Sequence, residues 1–286
     1  MKIINRNTKE IKDGDLLKSQ SFLYNNVFGR FILSFLVFPF VSKLGGKYMN
    51  SKRSTKKISK FIKENNINMD DFEKEEYKCY NDFFTRKIKA DKRPIDMNQN
   101  ILISPCDSKL TVYKINENSI YNIKDSYYRV NDLLNNDELA KKYLNGYMLI
   151  FRLTVDDYHR YCYVDNGTKE KNTFIKGVLH TVNPIALEHY DIYKRNSREY
   201  TILYTENFGD IVQVEVGALM VGKISNHHQE YKFSKGEEKG MFLFGGSTVI
   251  LLIEDGKVNI DEDLISNTKN NMETIVKYGE RIGMKI

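Results

Sequence analysis

The sequence predicts an α+β fold: a mainly antiparallel β core preceded by a helical N-terminal extension. Two observations carry this reading. Residues 16–68 hold one proline and few glycines, with lysines at helical spacing over Ser54–Lys63. From Ile101 onward the texture changes to short β-branched and apolar runs separated by turn residues. No internal repeat or low-complexity linker divides the 286 residues, a length sufficient to bury a sizeable core. The order of elements sets a boundary after residue 68, giving a helical region 1–68 and a second domain 69–286.

Taken in order, the extension is followed by a short helix from Asp70 to about Phe84. Asp70 or Asp71 can cap it, and Glu73 falls in the first turn. Arg93-Pro94 ends that region. Strands are then predicted at Ile101–Ser104, Leu110–Ile115, Tyr147–Leu153, Arg160–Val164 and Ile175–His180. Further strands follow at Tyr200–Tyr204, Ile211–Val216, Met220–Ile224, Met241–Phe244 and Thr248–Ile253. Helices are inserted at Asp132–Tyr143 and Ala186–Lys194, and Asp261–Tyr278 is helix-compatible.

Composition narrows the class. Hydrophobic residues make up 41% and charged residues 29%, as expected for a soluble or peripheral protein. The first twenty residues are polar and carry no apolar stretch of the signal-peptide kind. Cys79, Cys106 and Cys162 are odd in number and lack CxxC spacing, so neither a disulfide framework nor a zinc site is expected, and a reducing cytosol is. The net charge of +6 is concentrated: Leu16–Lys63 contains ten Lys or Arg and no Asp or Glu. Just before the basic block, Phe31–Ser42 runs for twelve residues without a charge. That is too short to span a bilayer, which takes about 20 residues, and Pro39 would break or kink a helix there. Two readings stay open on the residues alone. The segment is either a core helix beside a solvated basic neighbour or an apolar face lying on an anionic membrane. No helix-turn-helix, zinc-knuckle or RNP-like pattern is present to read bases, so no nucleic acid is expected.

The most informative stretch for chemistry is Gly245-Gly246-Ser247-Thr248 ahead of an apolar run. Two glycines open backbone conformations closed to other residues. That freedom lets the Ser247 hydroxyl reach the carbonyl carbon of Gly246 and shift the acyl group from nitrogen to oxygen. The ester so formed can eliminate across Cα–Cβ of Ser247, and the resulting dehydroalanine hydrolyses to a pyruvoyl group with loss of ammonia. A plain tight turn feeding a buried strand has the same local sequence, and the stretch alone does not choose between the two.

Several blocks, in order, resemble the bacterial phosphatidylserine decarboxylases of the shorter, clostridial-like kind. They are Phe83-Phe84-Thr85-Arg86 with Arg93-Pro94; Ser104-Pro105-Cys106-Asp107; Asp157-Tyr158-His159-Arg160; His180-Thr181-Val182-Asn183-Pro184; Arg195-Asn196; Val216-Gly217-Ala218 with Val221-Gly222; and Gly245-Gly246-Ser247-Thr248. The resemblance covers roughly residues 80–255. Each block is weak, but seven in order are specific. The family's cleavage motif is usually Leu-Gly-Ser-Thr, and Gly245 stands in place of its Leu.

The resemblance implies a pyruvoyl-dependent carboxy-lyase made by self-cleavage between Gly246 and Ser247. The large chain 1–246 and small chain 247–286 would remain associated. The pyruvoyl group from Ser247 would form a Schiff base with phosphatidylserine, accept electrons as CO2 leaves, and release phosphatidylethanolamine. A substrate held in a bilayer favours the membrane reading of residues 22–63, at the cytoplasmic face of the cell membrane as a peripheral protein. By resemblance His159 is the base for Ser247 and Asp107 orients it. Asp157 is a second carboxylate near His159. His180, Asn183 and Arg195 are candidates to line the site.

One departure bears on the base. Many members read Asp-Tyr-His-Arg-x-His, and the second histidine position here is Cys162. An ordinary thiol with pKa about 8.5 is little ionised at neutral pH, so His159 is expected to act alone and Cys162 to pack. His227-His228 reads as a polar loop, and no histidine grouping has metal-ligand spacing, so no metal is expected. Walker and Rossmann glycine patterns are absent, so no nucleotide is expected. Homo-oligomerisation is left open. The alternatives are a pyruvoyl decarboxylase of a soluble amino-acid-type substrate, or an uncleaved membrane-associated scaffold.

Overall fold

The computed structural model describes residues 1–14, 18–74, 76–116, 120–123, 126–187, 190–219, 223–243 and 247–286. Its centre is the strand Thr248–Ile253, all six residues of which are buried. A continuous apolar run without alternation suits a strand covered on both faces. It pairs antiparallel with Asp210–Val216 on one side and Tyr147–Arg152 on the other. Beyond Asp210–Val216 follow Arg198–Thr205, Gly167–Lys169 and Tyr231–Phe233. On the other side come Ser108–Lys114, Met272–Val276, Lys2–Asn5 and Ile11–Asp13. With Thr173–Ile175 beside Arg198–Thr205, the described residues form an eleven-stranded sheet, antiparallel except where Lys2–Asn5 runs parallel to Met272–Val276. A second sheet joins Lys223–Asn226, Glu238–Leu243 and Arg160–Cys162, and a third joins Val258–Ile260, Arg281–Lys285 and Ile101–Ile103. The fold is therefore α+β with a mainly antiparallel core.

Differences from the sequence reading lie at element ends. Asp261–Tyr278 is not one helix: Glu262–Lys269 is helical, Asn271 turns left-handed at φ 56°, and Met272–Val276 is a strand. Its β-branched Thr274, Ile275 and Val276 find partners in Ser108–Lys114, which no local pattern shows. The helix predicted from Asp70 is a single 3-10 turn, Met69–Asp71, capped by Asn68, and a separate helix Tyr80–Phe84. Asp132–Tyr143 divides at left-handed Asn135 into Val130–Leu134 and Asp137–Lys141. Ala186–Lys194 divides into Pro184–Leu187 and Ile192–Arg195. The strand expected over Ile175–His180 ends at Ile175, with one isolated bridge from Val178 to Asn196. The start of the strand expected over Met220–Ile224 lies outside the described residues.

Within the region 1–68 expected to be helical, Lys2–Asn5 and Ile11–Asp13 are instead strands of the large sheet; after them the described residues form four α-helices, α1 (Lys18–Asn25), α2 (Val27–Leu36), α3 (Pro39–Met49) and α4 (Ile58–Glu64). Asn26 caps α2 by accepting from the backbone of Phe28 and Gly29. At Gly29 a Cβ would lie 2.0 Å from the Phe22 carbonyl oxygen, so only glycine lets α1 and α2 meet this closely. Pro39 begins α3 at a position where its missing N–H costs nothing, and α2 and α3 meet at 73°. Among the described residues no single helix is long and apolar enough to cross a membrane. This layer docks on residues 179–181. Leu179 donates its N–H to the Val37 carbonyl at 2.8 Å, and the buried Tyr24 hydroxyl accepts from the Thr181 N–H at 3.0 Å.

Candidate active site

Ser247 sits at the mouth of the central strand. Its carbonyl accepts from the Leu153 N–H at 2.9 Å, one step beyond the Thr248–Arg152 pair. The residue is fully buried, and its Oγ has no hydrogen-bond partner among the described residues. An unsatisfied buried hydroxyl costs about 1–3 kcal/mol, so its persistence calls for a reason beyond packing. Gly246, across the expected scissile bond, lies outside the described residues.

His159 precedes the strand Arg160–Cys162, and its carbonyl accepts from the Phe242 N–H at 2.9 Å. Four peptide steps join Leu243 to Ser247, at most about 14 Å of chain. One short link therefore ties the strand beside His159 to the strand that begins after Ser247. The His159 ring is buried, lies 4.1 Å from the Phe84 ring between centroids, and places Nδ1 2.9 Å from the Asp157 carbonyl oxygen. A carbonyl only accepts, so Nδ1 carries the proton and Nε2 presents a bare lone pair. That Nε2 is buried and has no partner among the described residues. Burial, aided by the Arg86 charge, pushes the imidazole down to about 4, so it is neutral and competent as a base at pH 7.

The two carboxylates named from sequence are held elsewhere. Asp157 accepts from Lys109 Nζ at 2.6 Å and from the Thr154 N–H at 2.7 Å. Burial works against its charge, but Lys109 and Lys277 outweigh it and hold Asp157 at about 2. Asp107 accepts two bonds from Arg93, at 2.8 and 2.5 Å, and one from the Tyr278 N–H at 2.9 Å, with Lys277 Nζ at 3.4 Å. It makes no hydrogen bond to His159; the group that orients the imidazole here is the Asp157 backbone carbonyl.

The chain matches the profile of the family described as phosphatidylserine decarboxylase over residues 80–284. It is 48% identical to phosphatidylserine decarboxylase proenzyme 2 of Clostridium acetobutylicum, covering 98% of this chain and 97% of that one. It is 44% identical to a phosphatidylserine decarboxylase proenzyme of Clostridium tetani, covering 100% and 98%. A Clostridium botulinum proenzyme of the same description is 43% identical, covering 100% and 99%. The chain belongs to the phosphatidylserine decarboxylase family.

In this decarboxylase Cys162 is fully buried; its N–H donates to the Pro105 carbonyl at 2.9 Å, and burial pushes the thiol up to about 12. The other candidates form a group at the same sheet end. His180 stacks on Tyr190 at 4.3 Å, its Nδ1 is 3.3 Å from the Tyr24 hydroxyl, and Arg195 lies over the Tyr190 ring at 5.2 Å. Desolvation, then the charge of Arg195, pushes His180 down to about 4. Asn183 Oδ1 accepts from the Ile185 N–H at 3.1 Å at the start of Pro184–Leu187. Asn196, which sequence reading did not single out as a site residue, is fully buried and ties the group together. Its amide donates to the carbonyls of His180 and Gly217, both at 2.8 Å. Gly217 follows Val216, the partner of Thr248, so this group belongs to the Ser247 end of the sheet. A surface cavity of about 480 Å3 lined by Asn131, Asp132, Lys194 and Arg198 shares none of these residues.

Acid stability follows from the same groups. His159 falls from its usual 6.5 to about 4, so the unfolded chain takes up its proton first. Its stabilising contribution is complete above about pH 6.5 and is lost as pH falls toward 4. Asp157, lowered from 3.8 to about 2, stabilises above about pH 4 and stops doing so as pH falls toward 2. Melting temperature of the Ser247→Ala protein is therefore expected to decline from pH 6.5 downward. A His159→Gln change in that background should flatten the curve between pH 6.5 and 4; an unchanged curve would remove His159 as its cause.

Proposed function

We propose that this decarboxylase is a proenzyme that cuts itself between Gly246 and Ser247, carries a pyruvoyl group made from Ser247, and converts phosphatidylserine to phosphatidylethanolamine and CO2. The reading is supported by two buried polar atoms, Ser247 Oγ and His159 Nε2, neither of which has a hydrogen-bond partner among the described residues, with the imidazole proton confined to Nδ1. His159 Nε2 takes the Ser247 hydroxyl proton while Oγ attacks the Gly246 carbonyl carbon. The C–N bond breaks as the ester forms, and the Ser247 nitrogen takes a proton. Loss of the Ser247 Cα proton expels the Gly246 carboxylate and leaves dehydroalanine, which takes up water and releases ammonia. The pyruvoyl carbonyl then supplies an electron sink for the pair left behind by departing CO2. After cleavage His159 Nε2 takes a proton from the substrate ammonium group as that group condenses with the carbonyl, and passes it to the carbon that lost CO2. Intact mass spectrometry tests this. Residues 247–286 should appear as a separate chain one ammonia lighter than the plain hydrolysis product; an uncut active protein would overturn the reading.

The same proposal places the enzyme on the cytoplasmic face of an anionic membrane. Val27, Phe28, Phe31, Phe35, Phe38, Phe40 and Leu44 on α2 and α3 are each at least half exposed. Exposed apolar surface of this extent marks an interaction site. The exposed Arg30, Lys43, Lys47, Lys52, Arg53, Lys56, Lys57, Lys60 and Lys63 lie in the same segment. The bend between α2 and α3 suits helices lying in the interface. Val37, at the end of α2, bonds to Leu179 beside the His180 group, so the apolar surface is anchored near the Ser247 end of the sheet. Binding to phosphatidylserine vesicles should weaken as salt rises. The Lys52→Gln, Arg53→Gln, Lys56→Gln, Lys57→Gln protein should bind on the order of 10²–10³-fold less at low salt, at about 1 kcal/mol for each basic residue removed. Equal sedimentation of the variant and the parent with such vesicles would remove the electrostatic part.

A further inference from the structure

We propose that Arg86 is the anion-binding residue of the substrate site and takes the phosphodiester of the phospholipid. The assignment rests on the decarboxylase reading above and deepens it. Arg86 follows the helix Tyr80–Phe84 and is 2% exposed. Its guanidinium lies between two aromatic rings, 4.5 Å from the Phe72 centroid and 4.8 Å from that of Phe83. Ring contacts of this kind satisfy the faces of the cation. They leave the five N–H donors, which lie in its plane, to find acceptors. One of them makes a long contact of 3.4 Å with the Phe83 carbonyl, and Nε has no hydrogen-bond partner among the described residues. No carboxylate among the described residues lies within ion-pair distance of Arg86.

Other buried arginines show what a structural guanidinium looks like in this fold. Arg152 makes two bonds to Glu273, at 2.7 and 2.5 Å. Arg198 donates to four backbone carbonyls at 2.6 to 3.0 Å. The half-buried Arg93 likewise forks onto Asp107. A buried charge is costly unless paired, so a buried guanidinium with unused donors points to an anion that arrives with the ligand.

Its position selects the anion. Phe84, two residues before Arg86, touches the His159 ring, and Arg160 holds the Thr85 carbonyl with two bonds of 3.0 and 2.7 Å. Arg86 therefore faces the same small region as His159, and its charge contributes to the lowering of that imidazole. Phosphatidylserine has two anionic groups. A cation paired with the carboxylate would stabilise the ground state over a transition state in which that charge moves away. The phosphodiester keeps its charge throughout and lies only a serine side chain away from the reacting carbon.

The test uses Arg86→Met and Arg86→Lys in the full chain. Both are expected to self-cleave as the parent does. For phosphatidylserine in detergent micelles, KM should rise tenfold or more in Arg86→Met with kcat within about twofold, the pattern of lost uniform binding. Arg86→Lys should recover part of the loss, because it keeps the charge without the fork. Competitive inhibition by glycerophosphoserine should weaken in step with KM, and inhibition by O-methylserine, which has no phosphate, should not change. Cleaved variants with parental KM and parental glycerophosphoserine inhibition would overturn the proposal. So would a fall in kcat at constant KM, or failure of both variants to self-cleave, which would assign Arg86 to processing. The decarboxylase reading fails separately, through a parent protein that stays uncut.

Discussion

Ser247→Ala protein is expected to run as one band near 33.5 kDa, with no decarboxylase activity and no reaction with carbonyl reagents such as phenylhydrazine. The parent should give chains 1–246 and 247–286, the smaller one blocked to Edman degradation. The expected effect is total because Ala removes both the nucleophile for the acyl shift and the oxygen through which the Gly246 carboxylate leaves. The fold should survive. Ser247 is buried and its Oγ has no hydrogen bond among the described residues, so removing the hydroxyl breaks none there, and the backbone bond to Leu153 remains. Activity in an uncut Ser247→Ala protein would end the reading.

His159→Ala is expected to slow cleavage by about 10²–10⁴, the usual contribution of a positioned base, with the uncut precursor accumulating. Because the neutral imidazole is the working form and burial sets its pKa at about 4, the parental cleavage rate should be level across neutral pH and fall only as pH approaches 4. Cys162→Ser should cleave at near-parental rate, since a thiol pushed up to about 12 holds its proton at neutral pH. Asp107→Ala should also slow cleavage, with a different signature. Its carboxylate clamps Arg93 and the Tyr278 N–H, and removing one partner of a buried ion pair costs about 3–5 kcal/mol. A lowered melting temperature should accompany its slow cleavage, and His159→Gln, which fills more of the buried site than Ala, should slow cleavage with a smaller loss of stability near neutral pH. Time courses of band splitting separate these cases. Stalled Cys162→Ser beside a normally cleaving His159→Ala would transfer the base role to Cys162.

The strands nearest the site were legible in the sequence. Tyr147–Arg152, Asp210–Val216 and Thr248–Ile253 are dense runs of apolar and β-branched residues, and each was placed within about one residue of its observed ends. Elements with weak local signals were read less well. Lys2–Asn5 and Ile11–Asp13 are polar, and the first becomes a strand by pairing with Met272–Val276, some 270 residues away. Asn135 and Asn271 stop helices by turning left-handed, a conformation asparagine tolerates but does not announce.

By itself the sequence determined the family and the mainly antiparallel core, and it supplied the proposed nucleophile and the histidine proposed to serve it. Each of these is written in contiguous residues: Gly246-Ser247-Thr248, Asp157-Tyr158-His159-Arg160, and the apolar runs. Tertiary structure alone decided the partners. It gave Asp107 to Arg93 and Tyr278 rather than to His159, and confined the imidazole proton to Nδ1 through the Asp157 carbonyl. It buried Lys239 against Glu215 at 2.7 Å, and left Arg86 buried among rings without a carboxylate. Such pairings depend on which side chains share a small volume once distant segments pack. A buried charge leaves no mark on its neighbours in sequence, because its energy is set by the groups that surround it in space.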